Sequence, residues 1–169
     1  MAAIIVTGTP GTGKTALAKK LSRKLNYVYL DVNKIISKYK LSEGYDKARK
    51  TGIVDVNKLN KFLIKHIKQF KINQYKKSEK HNGIIIDSHL SHYLPRKYVN
   101  FCIVTKCDIK ELNARLKNKK FHKEKIDENL QAEIFDICHI KAMEKKHKVF
   151  VVNTTKGFNI SQLVKKFGV

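Results

Sequence analysis

The sequence predicts an α/β fold with a parallel five-stranded sheet covered by helices on both faces. Two observations carry this. Short apolar runs alternate with helix-like stretches from end to end, which implies strands buried between helical layers. No internal repeat and no Pro/Gly/Ser-rich linker interrupts the 169 residues, so a single domain over 1–169 is expected.

In chain order, "AAIIVTG" opens as an apolar strand and a helix follows over 13–24. "YVYLD" (27–31) reads as a strand and 32–40 as a helix. Residues 41–54, which hold Gly44 and Gly52, read as irregular. Val56, Leu59, Leu63, Ile67 and Phe70 recur at spacings of three and four, so 55–72 is an amphipathic helix with Asp55 as its N-cap. "GIIID" (83–87) and "NFCIVT" (100–105) are buried strands. Helices are expected at 108–117 and, as one long element, 124–147. "KVFVVN" (148–153) is the last strand and 159–167 the last helix. In open α/β sheets, ligands bind beyond the carboxyl ends of strands. Gly8, Asp31, Asp87 and Asn153 stand at such ends.

Bulk properties narrow the function. There is no apolar run long enough to span a bilayer and no export signal in "MAAIIVTGTPGTGKT", so a cytoplasmic protein with no membrane partner is expected. Cys102, Cys107 and Cys138 lack metal-like spacing and read as reduced core thiols. Lys plus Arg is 36 against 14 Asp plus Glu, a formal net charge of +22. Only four of the basic residues are arginine, which suggests an A/T-rich coding sequence, yet codon bias does not explain why acids are few. The excess points to a polyanionic partner.

"GTPGTGKT" (8–15) fits G-x-x-x-x-G-K-[ST] in full, with an apolar strand before it and a helix after it. Such a loop turns successive N–H groups toward an anion, and the helix start adds its positive end. Gly11, Thr12, Gly13, Lys14, Thr15 and Ala16 are therefore candidate ATP-binding residues. Lys14 is placed to reach the β- and γ-phosphates and Thr15 to put its hydroxyl on Mg²⁺. Asp87, ending a buried strand, is the expected second Mg²⁺ anchor, through water.

"GTPGTGKT", "LSEGYD" (41–46), "IDSH" (86–89) and "KIDENLQAEIF" (125–135) together resemble the adenylate kinase isoenzyme 6 family. The resemblance implies a P-loop kinase fold and an adenylate kinase with ATPase activity, linked to small ribosomal subunit maturation. It implies a monophosphate-binding segment near 33–56, a short lid near 116–126, and as partners AMP, a small-subunit platform ribosomal protein and rRNA. It suggests that His89 joins Lys14 and Asp87 in catalysis, by orienting a water at the γ-phosphate or by holding a loop over the site, with an exposed loop histidine as the alternative. His92 reads as a structural or surface residue. Relatives often carry R-G-Y in the lid where this chain has Lys119, Lys120 and Phe121. Lysine keeps the charge and loses the planar fork. Arg115 is an alternative phosphate contact. Asp31, Arg49 and Arg96 are the candidates for the acceptor nucleotide, with a solvated surface role as the alternative for both arginines.

Three functions fit these residues: an ATP- and Mg²⁺-dependent adenylate kinase with ATPase activity, a kinase for another monophosphate or small molecule, and a nucleotide-switched assembly factor with little kinase turnover. Lys58, Lys61, Lys65 and Lys68 run about two residues out of phase with the apolar stripe of 55–72, and Lys71, Lys76, Lys77 and Lys80 extend them. They line the solvent side of that helix, with no acidic residue expected at pairing distance. The stripe is a candidate RNA-facing surface.

Overall fold

The computed structural model describes residues 2–46, 51–76 and 80–168. Arg49 and Lys77 lie outside the described residues. The strands of the main sheet are β1 (Ala2–Gly8), β2 (Tyr27–Asp31), β5 (Gly83–Asp87), β6 (Phe101–Lys106) and β7 (Val149–Asn153). They lie in the order β2-β5-β1-β6-β7 and every pairing is parallel. The expected five-stranded parallel sheet is therefore present.

β1 takes the centre because Ala3, Ile4, Ile5 and Val6 are all fully buried. Alternate residues of the strands feed two cores, as a parallel sheet requires. On one face Ala3, Ile5, Ile84 and Ile86 pack against Leu59, Leu63 and Ile67 of α3 (Val56–Tyr75). On the other, Ile4, Val6, Ile85 and Ile103 pack against Leu17 and Leu21 of α1 (Lys14–Leu25) and Leu163 of α7 (Ile160–Phe167). Asp55 caps α3, accepting from the N–H groups of Asn57 and Lys58. A smaller core of Cys107, Leu112, Leu116 and Ile126 joins α4 (Ile109–Asn118) to α5 (Lys123–Ile134).

Three expectations need correction. Residues 41–54 are not wholly irregular, because β3 (Ser42–Asp46) and β4 (Thr51–Val54) pair antiparallel beside α2 (Val32–Lys38), with a register irregularity between Ser42 and Gly44. Such short, exposed strands give no apolar run to read. The helix expected over 124–147 is two, α5 and α6 (Ile137–Glu144). The break is at Asp136, whose φ of 54° is left-handed. Asp tolerates that conformation better than most residues, and here its carboxylate accepts from Lys106 Nζ at 2.7 Å and pairs with His139 Nδ1 at 2.8 Å. Finally, the lysine stripe on α3 is not free of acid. Lys58 is ion-paired with Glu43 of β3.

Candidate functional site

The phosphate loop leaves β1 at Gly8 and enters α1 at Lys14. Two glycines are required by their surroundings. A Cβ on Gly8 would lie 2.5 Å from the Thr105 carbonyl oxygen, and one on Gly11, at φ +97°, would lie 2.8 Å from Leu112 Cδ1. The loop is also tied by hydroxyls. Thr12 Oγ1 meets Thr105 Oγ1 at 2.6 Å and donates to the Thr9 carbonyl at 2.8 Å. Thr154, just past β7, donates to the Thr12 carbonyl at 2.7 Å.

Lys14 Nζ donates to the Thr9 carbonyl at 2.9 Å, tucked back on its own loop. Burial lowers its pKa to about 8. The Cys138 thiol and the Asp87 and Glu133 carboxyls oppose the shift, and Lys119 adds to it. The ammonium is still charged at pH 7.

Asp87 is 5 % exposed at the end of β5. Its Oδ2 accepts from Thr15 Oγ1 at 2.6 Å and from the Tyr29 hydroxyl at 2.9 Å. Thr15 and Asp87 thus stand side by side as hard oxygen donors beside the loop, a donor set that suits Mg²⁺. Tyr29 is a residue that sequence reasoning missed. Burial and the neighbouring Asp87 raise its pKa, so the phenol stays a donor.

After Asp87 the chain makes a tight turn pinned on β1. Ser88 N and Ser91 Oγ donate to the Val6 carbonyl, and Leu90 N donates to Ser88 Oγ. Thr7 Oγ1 donates to the His89 carbonyl at 3.3 Å and meets His92 Nδ1 at 2.8 Å. His92 is buried, and its carbonyl accepts from His147 Nε2 at 3.1 Å, so this ring holds the turn that presents His89. The His89 side chain opens onto a cleft of about 320 Å³ lined with Asn33, Ile36, Ser42, Gly52, Val54 and Leu90. His89 is exposed on its cleft side, and the protein around the imidazole, then the charges of Lys14 and Lys125, lower its pKa. The ring is neutral at pH 7.

A second cleft of about 500 Å³ lies over the phosphate loop, lined by Gly11, Gly13, Lys14, Thr15, Ala16, Arg115, Asn118 and Lys119. Arg115 is anchored there. It donates to Glu111 at 2.8 Å and to the carbonyls of Thr154 at 2.9 Å and Thr155 at 3.2 Å. Lys119 caps the C-terminus of α4 at the mouth of this cleft.

One substrate candidate is placed differently from expectation. Arg96 is not at the strand ends that carry the phosphate loop. It donates to the Val99 carbonyl at 2.6 Å, and the next residue, Asn100, accepts from Ala3 N at the start of β1, the opposite end of the strands. The chain has crossed the sheet by then to enter β6. Asp31 stands at the expected strand end, in register with Asp87, and its Oδ1 accepts from Asn33 N at 3.0 Å and Lys34 N at 3.3 Å at the start of α2. Glu133 and Thr154, also unforeseen, touch the loop from distant parts of the chain.

Comparison with known proteins bears on the fold and the family. The family described as "AAA domain" matches residues 4–136. A Methanocaldococcus jannaschii protein named "Putative adenylate kinase" is 36% identical over 152 residues, covering 90% of this chain and 76% of its own. The Saccharomyces cerevisiae adenylate kinase isoenzyme 6 homolog FAP7 is 34% identical over 150 residues, 88% of this chain and 70% of its own. Among solved structures, deoxyadenosine kinase from M. mycoides with bound dATP superposes with a TM-score of 0.56 at 18% identity, with full coverage of both chains. Shikimate kinase from Bacteroides thetaiotaomicron superposes with a TM-score of 0.52 at 16% identity over 99% of each chain. At those identities the structural likeness establishes the fold. No helix among the described residues is long and apolar enough to cross a membrane. The sequence relatives go further than the fold, and the chain belongs to the adenylate kinase isoenzyme 6 family of P-loop kinases.

Proposed function

We propose that the protein transfers the γ-phosphoryl group of ATP to AMP in a Mg²⁺-dependent reaction, with hydrolysis of ATP as a second outcome. One observation carries the reading. The phosphate-loop cleft, lined by Lys14 and Thr15, and the cleft lined by residues 33–54 and His89 both lie at the carboxyl ends of the strands, and Asp87 is bonded to Thr15. A donor and an acceptor nucleotide placed there meet at Lys14. The acceptor segment spans about 33–56 and the lid about 116–126, where Lys119 supplies the cation.

Thr15, and through water Asp87, would hold Mg²⁺, which would supply charge neutralisation at the phosphates. Lys14 exchanges the Thr9 carbonyl for phosphate oxygen. Phosphoryl transfer asks little covalent chemistry of the protein, so positioning and charge do most of the work. An AMP phosphate is already anionic and needs no base. A water does need orienting, and the neutral imidazole of His89 is placed to accept its hydrogen bond. His89 thus serves hydrolysis more than transfer.

The test is a panel of nucleoside monophosphates with ATP and Mg²⁺, assayed for diphosphate and free phosphate separately. ADP formation that depends on AMP, with slower phosphate release in its absence, supports the reading. Preference for a different monophosphate overturns AMP as substrate, and phosphate release alone overturns the kinase. A second role, in small ribosomal subunit maturation with a platform ribosomal protein and rRNA as partners, is favoured by the exposed lysines of α3 together with the family relationship.

A further inference from the structure

We propose that Glu133 is a positioning residue that fastens the phosphate loop to the stem of the lid through Thr9. Glu133 sits at the C-terminal end of α5, only 6 % exposed. Its Oε2 accepts from Thr9 Oγ1 at 2.6 Å and its Oε1 accepts from the backbone N–H of Cys107 at 2.9 Å. Both donors are uncharged. Burying a carboxylate against neutral donors is an expensive way to hold a core together, and an apolar side chain would serve stability better. What the carboxylate does provide is two strong acceptors in fixed directions.

Thr9 is the gathering point of the loop. Its carbonyl accepts from Thr12 N at 3.2 Å, Thr12 Oγ1 at 2.8 Å and Lys14 Nζ at 2.9 Å. Holding the Thr9 hydroxyl therefore fixes the carbonyl on which Lys14 rests. A second contact runs in parallel. Gly11 is seated on Leu112 and Leu116 of α4, so closely that a Cβ would come within 3.0 Å of both side chains. These leucines pack with Ile126 of α5, and Phe121 and Leu130 complete the cluster. The helices α4 and α5 flank residues 119–122, the centre of the lid segment. A movement of the lid that shifts α5 is thus passed through Glu133 to the Thr9 carbonyl, and from there to the Lys14 ammonium. Two stretches 124 residues apart in sequence form one mechanical unit.

The kinetic arm of the test rests on the phosphoryl-transfer reading, and a second arm does not. Glu133→Gln, Thr9→Val and the double variant are compared with the unaltered protein, all near-isosteric at buried positions. In ATP turnover each single variant lowers kcat about tenfold while KM for ATP changes less than about threefold, because the bond places a group that acts in the transition state. The double variant is no worse than the poorer single, since both remove the same link. In hydrogen exchange on nucleotide-free protein, the amides of residues 11–14 exchange about tenfold faster in each single variant, again without a further increase in the double. Multiplying effects in the double variant, or loop exchange equal to that of the unaltered protein, overturns the proposal. An unaltered protein with no turnover of any nucleotide removes the kinase reading, and the exchange arm then decides alone.

Discussion

Asp87 shows how a single side chain is prepared for its task. Its carboxylate is buried, yet Thr15 and Tyr29 both donate to Oδ2 and so hold its direction. Removing the Tyr29 hydroxyl keeps the ring and its packing but frees the carboxylate to rotate. If Asp87 anchors Mg²⁺ as proposed, Tyr29→Phe is expected to raise the Mg²⁺ concentration for half-maximal turnover by about tenfold, the lower end of what loss of a supporting partner costs. A Mg²⁺ titration of ATP turnover checks this, and an unchanged midpoint would show that the phenol only packs. Lys14→Ala is expected to abolish transfer and hydrolysis together, in the same assay, because it removes the cation that the loop presents to phosphate. His89→Ala should separate the two activities, with phosphate release in the absence of AMP falling at least tenfold while ATP affinity stays within about twofold. The phosphate loop was legible in sequence because its parts are contiguous. Tyr29 was not, because the role appears only when β2 pairs with β5 in the register Tyr29 to Ile85, which puts its ring on the same face as Asp87.

Elements were legible where burial imposes a period and obscure where it does not. α3 declares itself through Leu59, Leu63 and Ile67, which are fully buried under the sheet. Leu63→Ala is therefore expected to cost about 3 kcal/mol of unfolding free energy, the middle of the range for a buried leucine truncated in a packed core. Urea denaturation followed by circular dichroism measures it. A loss below about 1 kcal/mol would mean that this interface collapses to fill the cavity. By contrast, the α5–α6 break has neither Gly nor Pro to mark it. The turn is set by Lys106 and His139 converging on Asp136, a contact that reaches across the sheet end. The link from Arg115 to Thr154, and thence to Thr12, is long-range in the same way. The pattern predicts which surfaces meet, and leaves open the polar bonds that lock them.

At the scale of the whole molecule, proton binding and salt should each leave a signature. The buried rings of His92 and His147 have pKa values depressed by desolvation, that of His92 to about 4. In the unfolded chain both titrate near 6.5. Above that value the two states bind these protons equally and the rings cost nothing. As pH falls from about 6.5 toward about 4 the unfolded chain takes up protons that the fold refuses, so stability drops through that window. The melting temperature should fall across it, and His92→Gln should flatten the fall. The net charge of +22 predicts the second signature. Lys61, Lys65 and Lys68 are exposed on α3, while Lys58 is engaged by Glu43. The three unengaged by that pair form the better test of a phosphate-binding face. If the face binds RNA backbone, log affinity should fall linearly with log salt concentration, by roughly 0.7–0.9 for each phosphate neutralised. Replacing the three by Gln should then reduce the slope by about two to three while the proposed AMP phosphorylation stays unchanged. Fluorescence anisotropy with a small-subunit rRNA fragment across a salt series reads the slope directly. An unaltered slope in the triple variant would leave these lysines as a solvated face and move any RNA contact elsewhere on the molecule.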